Sequence, residues 1–91
     1  MVLVDVRRLD DCLDGARVYS CRFAEPVTER QVRELAAGEK LEYFADFPRP
    51  FFRIFCAAGE QVKGVVGDDD LVVVMPAGGP SPDTFFSAGR G

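Results

Sequence analysis

Residues 40–75, KLEYFADFPRPFFRIFCAAGEQVKGVVGDDDLVVVM, carry the pattern that decides the fold of this chain. Apolar and polar residues alternate in short runs, and glycine, proline and aspartate separate the runs, as they do between antiparallel strands. The pattern predicts four consecutive strands, at residues 41–46, 51–56, 61–66 and 71–75. The last of these is apolar at every position, which is typical of a strand in the middle of a sheet.

The first part of the chain adds two more strands to this meander. Residues 2–6 and residues 17–24 both show the alternation expected of short strands with one apolar face. Between them, residues 9–13 place apolar side chains at helical spacing for a single turn, which Gly15 would end. We therefore expect a strand, one turn of helix and a second strand before residue 25.

A helix with well-defined ends follows the second strand. Thr28 fits the N-cap position, and Gln31 three residues later completes a capping box. Val27 and Val32 are spaced for a hydrophobic staple across the helix start, and Gly38 is placed to end the helix. A helix of about nine residues is too short to be stable alone, so it is expected to pack on the sheet.

These elements predict an α+β fold in which about six short, mainly antiparallel strands form one curled sheet with one helix packed on a face. The order along the chain is ββαββββ, and a small partly closed β-barrel is the alternative. A single domain is expected over residues 1–75. Seven of the sixteen residues from 76 to 91 are Gly or Pro, which predicts a flexible C-terminal tail. Phe85 and Phe86 are out of place in such a tail, and the sequence leaves open whether they dock.

The charge and hydropathy of the chain limit its partners and its location. The net charge of −4 gives no general attraction to nucleic acid or to an anionic membrane. No apolar run approaches the roughly 20 residues that span a bilayer, and the N-terminus lacks the order of a signal peptide. A cytoplasmic location is therefore expected. Arg outnumbers Lys nine to two, a bias that we interpret as GC-rich, bacterial coding.

The chain contains no histidine, which excludes imidazole as a general base, as a partner for a nucleophile and as a metal ligand. Its three cysteines, Cys12, Cys21 and Cys56, match no zinc or iron–sulfur spacing, so they are interpreted as thiols, with Cys21 and Cys56 in the core. The acidic residues at 10–14 and 68–70 have the composition of solvated turns rather than of a cation site. We therefore predict no catalytic residues, no metal and no cofactor, and favour a non-catalytic role.

The predicted binding site follows from the number of faces that one helix can cover. A single helix can cover only one face of the sheet, so the other face would expose an apolar patch of the kind that usually meets a partner. Arginine at its rim offers paired donors to carboxylate or phosphate, and phenylalanine offers apolar contact. The predicted binding residues are Phe44, Arg49, Phe51, Arg53, Phe55, Lys63 and Val65.

The function expected from this face is that of a small bacterial binding or assembly module, which uses aromatic residues to bind itself or another protein. Homodimerisation is its simplest form. The alternative is a protein or small enzyme that binds a small anionic or aromatic ligand near Arg49 and Arg53, with Tyr43 or Asp46 as polar partners. Single-stranded nucleic acid is a third candidate because aromatic and basic residues alternate on the face, but binding is not expected for so acidic a chain.

Overall fold

The computed structural model describes residues 2–11 and 15–87 of the chain. Six strands and two short helices account for most of these residues. The strands are β1 (Leu3–Asp11), β2 (Arg17–Phe23), β3 (Lys40–Phe44), β4 (Phe51–Phe55), β5 (Gln61–Val65) and β6 (Asp70–Met75), and the helices are α1 (Glu29–Leu35) and α2 (Pro82–Ser87).

All six strands belong to one antiparallel sheet with the order β1-β2-β6-β5-β4-β3. The last four strands form the predicted meander, and the β1–β2 hairpin joins it by pairing β2 with β6. The predicted α+β fold is confirmed. The β-barrel alternative is wrong, because β1 and β3 remain separate edges at opposite sides of the sheet.

Local side-chain hydrogen bonds fix the start of α1 as the sequence predicts. The Thr28 hydroxyl accepts a hydrogen bond from the Gln31 backbone N–H at 3.2 Å, and the Gln31 side-chain oxygen accepts one from the Thr28 N–H at 2.9 Å. Both valines of the proposed staple are buried. After the helix, Gly38 adopts φ of +78°, a left-handed conformation that glycine adopts without strain.

Both helices lie on the same face of the sheet, which we call the covered face. The apolar side of α1 contributes Val32 and Leu35 to the core, and α2 contributes Phe85. Phe86 of α2 packs edge-on against Phe23 of β2, with ring centroids 5.0 Å apart. The sheet residues of this core are Cys21, Phe23, Phe52, Ile54, Val62, Leu71, Val73 and Met75.

The C-terminal segment takes part in this core. Residues 82–87, within the stretch predicted as a tail, form α2, and Phe85 and Phe86 dock on the same chain. Residues 88–91 lie outside the described residues. Whether residues 76–91 are flexible in solution stays a prediction.

The strand β1 is longer than the sequence pattern indicates. It continues through Leu9 to Asp11, so the helical turn predicted over residues 9–13 is wrong for residues 9–11. Residues 12–14 lie outside the described part. The pairing with β2 shifts register between Leu3 and Asp5 and again between Arg8 and Asp10. Such bulges interrupt the two-residue alternation, which is why the sequence of this strand does not look like one continuous strand.

Candidate binding face

The side of the sheet opposite the core carries neither of the two described helices. Strand alternation sends every second side chain to this side. These side chains, which we call the uncovered face, are Asp5 and Arg7 of β1; Val18, Ser20 and Arg22 of β2; Lys40, Glu42 and Phe44 of β3; Phe51, Arg53 and Phe55 of β4; Gln61, Lys63 and Val65 of β5; and Asp70, Val72 and Val74 of β6.

The strand register aligns these side chains in rows that cross the sheet. The middle row runs from one edge strand to the other as Arg7, Ser20, Val72, Lys63, Arg53 and Glu42. Lys63 and Arg53 are therefore direct cross-strand neighbours of like charge, an arrangement that destabilises an isolated sheet. The nearest acid to Arg53 is Glu42, with 4.0 Å between the nitrogen and the oxygen.

Three phenylalanines occupy the β3–β4 part of the uncovered face. The rings of Phe44 and Phe51 are 5.6 Å apart between centroids, and the Arg53 guanidinium lies 5.6 Å from the Phe51 ring. The Lys40 ammonium lies 5.7 Å from the Phe55 ring. Phe44 is 38% exposed. Apolar rings with cations beside them can contribute both hydrophobic area and cation–π contacts to a partner.

A wide groove lies where the aromatic part of the face meets the corner between β3 and β4. Phe47, Pro48, Arg49, Phe51 and Val65 line its volume of about 450 Å³. Phe47, which is 56% exposed, forms one wall. The groove is large enough for one large side chain or a small aromatic molecule.

The rim of this groove is held by an ion pair. One Arg49 Nη nitrogen donates to a carboxylate oxygen of Asp68 at 2.6 Å, which ties the β3–β4 corner to the β5–β6 turn. The same turn is bonded to the loop before α1, because the Val27 N–H donates to the Asp68 carbonyl at 2.8 Å. Arg49 therefore has a structural role, while its side chain stays 62% exposed.

The structure brings the predicted binding residues together at one side of the sheet. Six of them lie on the uncovered face, and the seventh, Arg49, lies at the groove beside it. That these residues bind a partner stays a prediction. In sequence order the six are Phe44, Phe51, Arg53, Phe55, Lys63 and Val65.

Tyr43, a candidate polar partner for a ligand, lies on the covered face. Its hydroxyl donates to a Glu29 carboxylate oxygen at 3.1 Å, and the Arg33 guanidinium lies 5.2 Å from its ring. Both partners belong to α1, so Tyr43 points away from Arg53. Partial desolvation raises the pKa of Tyr43, and the hydrogen bond to Glu29 raises it further. The expectation that Tyr43 and Arg53 would contact the same ligand is wrong, because Tyr43 lies on the covered face and Arg53 lies on the uncovered face.

The two described cysteines, Cys21 and Cys56, are buried in the core, as the sequence predicts. Burial raises the pKa of Cys21 to about 12, and the nearby Asp83 carboxylate of α2 adds to the shift. Such a thiol is almost entirely protonated at neutral pH and is a poor nucleophile. Cys12 lies outside the described residues.

A charged part of the uncovered face is not evident from the sequence. Asp5, Arg7, Ser20, Arg22 and Asp70 line a polar depression of about 260 Å³ on β1, β2 and β6. The alternation in β2 does place Ser20 and Arg22 opposite the core. What the sequence does not reveal is that β2 pairs with β6, about 50 residues later in the chain.

Comparison with known protein families, curated proteins and solved structures finds no match to this chain. Within the part of the chain that the structure describes, no three or more acidic or cysteine side chains are grouped to hold a metal ion. No described helix has both the length and the apolar character needed to cross a membrane.

Proposed function

We propose that this chain is a non-catalytic assembly module whose uncovered face binds the same face of a second copy. The observation that carries the proposal is the position of α1 and α2, which both cover one side of a sheet whose other side bears three phenylalanines. A large apolar patch on so small a protein usually marks an interaction site. A bacterial, cytoplasmic setting is part of the proposal, and its support is the composition of the sequence.

The size of the face indicates how strongly two copies are expected to associate. Six strands about 4.8 Å apart, with about five residues of 3.4 Å each, give a projected area of about 500 Å². A stable interface buries about 800 Å² on each partner. The face is therefore smaller than a standard stable interface, so we expect a weak dimer with a dissociation constant of about 1–100 µM.

Light scattering on a size-exclusion column tests self-association against a matched pair of variants. Phe44→Glu adds a charge at the most exposed aromatic ring of the face, and we expect it to shift the protein to monomer. Val2→Ser is the control, because Val2 is 65% exposed but lies away from the uncovered face, beside Phe23 and Gln31. Equal masses for wild type and Phe44→Glu, with unchanged thermal melts, would refute the proposal.

A small anionic or aromatic ligand is the second candidate occupant, supported by the groove beside Arg49. Phenyl phosphate is a suitable probe, since its ring fits the apolar wall and its charge suits the guanidinium. In this case we expect chemical-shift changes at Phe47 and Val65 that Arg49→Ala removes. Unchanged spectra at about millimolar probe would exclude this ligand class.

Single-stranded nucleic acid is not expected to bind, although the face combines aromatic and basic side chains. Fluorescence anisotropy with a labelled oligonucleotide is the direct check. Binding that weakens steeply as salt increases would indicate phosphate contacts and would displace the self-association proposal.

A further inference from the structure

The two halves of the uncovered face differ in chemistry. The β3–β4 half carries all three phenylalanines of the face, and the β1–β2 half carries none. The face as a whole has five basic and three acidic side chains among those described. A second copy must therefore be oriented so that unlike groups meet.

We infer that two copies pack face to face about a twofold axis that runs parallel to the strands, so that the β1–β2 half of each copy covers the β3–β4 half of the other. This inference rests on the proposed self-association and specifies its geometry. A twofold axis between two stacked sheets lies in the plane between them. Aligned packing of the sheets places the axis close to the strand direction or close to its perpendicular, and the residue rows distinguish these two cases.

An axis across the strands would place each strand over its own counterpart. When such an axis passes through the centre of the face, the middle row lies over itself, so that Arg53 faces Arg53 and Lys63 faces Lys63. Like charges placed together in an interface weaken the association. Moving the axis to another row avoids this contact but loses overlap, and a face of about 500 Å² has little area to lose.

An axis along the strands reverses the strand order in the second copy. The edge strand β1 then lies over β3, β2 over β4, and β6 over β5. In the middle row, Arg7 comes opposite Glu42 of the second copy, and Ser20 comes opposite Arg53. No cation faces a cation in this row, and the attraction between Arg7 and Glu42 occurs twice by symmetry.

The same axis also covers the aromatic residues. Arg22 of one copy comes over Phe51 of the other, where a guanidinium can stack on the ring, and Val18 comes over Phe55. The central strands β6 and β5 cross at the axis, which brings Val72 toward the stem of Lys63. Phe51 and Phe55 thus meet guanidinium and aliphatic groups, whereas Phe44 at the edge comes over Asp5.

Sheet twist leaves the register near the axis unchanged and shifts it by about one row at the edge strands. Stacked twisted sheets cross at about 30°, which displaces the edge strands by about 6 Å along their length for a sheet of this width. That is close to the spacing of successive side chains on one face. Arginine and glutamate side chains are long enough to meet across such an offset.

Charge reversal with rescue tests the orientation. Arg7→Glu and Glu42→Arg each place like charges at both symmetric contacts, and we expect each to raise the dimer dissociation constant about tenfold. The double variant Arg7→Glu/Glu42→Arg restores the attraction in reversed order, so its dissociation constant should return to within about threefold of wild type. Sedimentation equilibrium on the full chain measures all three.

Arg30→Glu is the matched control, because it makes the same charge change on α1, on the other side of the sheet, where the side chain is 89% exposed. It should leave the dissociation constant unchanged. If wild type dimerises but the double variant is no tighter than the singles, the orientation is wrong and the proposed self-association stands. If wild type is monomeric at about 100 µM, both are overturned.

Discussion

The two faces of β4 show how five residues serve two different environments. Phe52 and Ile54 are fully buried under the helices, whereas Phe51 and Phe55 on the other side of the same strand are only partly buried. The composition of the two sides is similar, but only one has helices to cover it. The difference teaches that the aromatic content of this strand exceeds what the core uses, and the surplus is where an interaction is expected.

The largest predicted effect is the difference in stability loss between substitutions on the two faces of β4. Phe52→Ala removes a ring from the centre of the core and is expected to lower the free energy of unfolding by about 3–5 kcal/mol. Phe51→Ala, one position away, should cost about 1 kcal/mol in the monomer because less apolar surface is buried there. Urea denaturation at low protein concentration measures both. Equal losses would contradict the assignment of a covered and an uncovered face.

Alkaline pH probes the covered face alone. The pKa of Cys21 is about 12 in the folded chain, against about 8.5 for an unfolded thiol. Above pH 9 the unfolded chain has therefore lost a proton that the folded chain keeps, and stability decreases as the pH rises through this window. The loss approaches about 1.4 kcal/mol per pH unit, or about 2–3 kcal/mol between pH 9 and 11.

The variant Cys21→Ala provides the comparison for this pH series. The two proteins differ only at position 21, so the difference between their slopes isolates the thiol. If the free energies of unfolding of the two proteins changed in parallel from pH 9 to 11, burial would not be holding the Cys21 thiol protonated.

A substitution at the rim of the uncovered face should lower the free energy of unfolding by a smaller amount. Arg49→Ala breaks the ion pair with Asp68, and because both side chains are substantially exposed, the expected loss is about 0.2–1 kcal/mol. The loss should shrink in high salt, since an exposed ion pair is screened. A loss above 2 kcal/mol in thermal melts would show that the corner between β3 and β4 is part of the core.

The smallest predicted effect is a gain in the free energy of unfolding rather than a loss. Lys63 lies directly across from Arg53, and Lys63→Gln relieves this repulsion, so the monomer should gain a few tenths of a kcal/mol. Lys40→Gln provides the contrast, because it removes a cation beside the Phe55 ring and should give no such gain. A destabilised Lys63→Gln would show that Lys63 has a favourable partner on this face.

Local patterns in the sequence predict most of the fold. The alternation in residues 40–75 identifies β3 to β6 and assigns Phe44, Phe51 and Phe55 to the same side, and the capping box identifies the start of α1. These features depend on neighbours in the chain, which the sequence shows directly.

The features that the sequence does not predict depend on distant residues. The full length of β1 is hidden by two bulges and is specified by pairing with β2. Helix α2 has only six residues, and its formation relies on burying Phe85 in a core made elsewhere. The charged depression beside Ser20 requires β6 to lie next to β2. Each of these is a long-range contact without a local signal.

Sedimentation equilibrium of the unmodified chain over about 1–100 µM tests most directly whether the uncovered face is used for self-association. One chain has a mass of 10.0 kDa. We predict that the average mass rises toward twice this value with concentration and that Phe44→Glu stays at the mass of one chain. A wild-type mass of one chain over the whole range would contradict the proposal that this face binds a second copy.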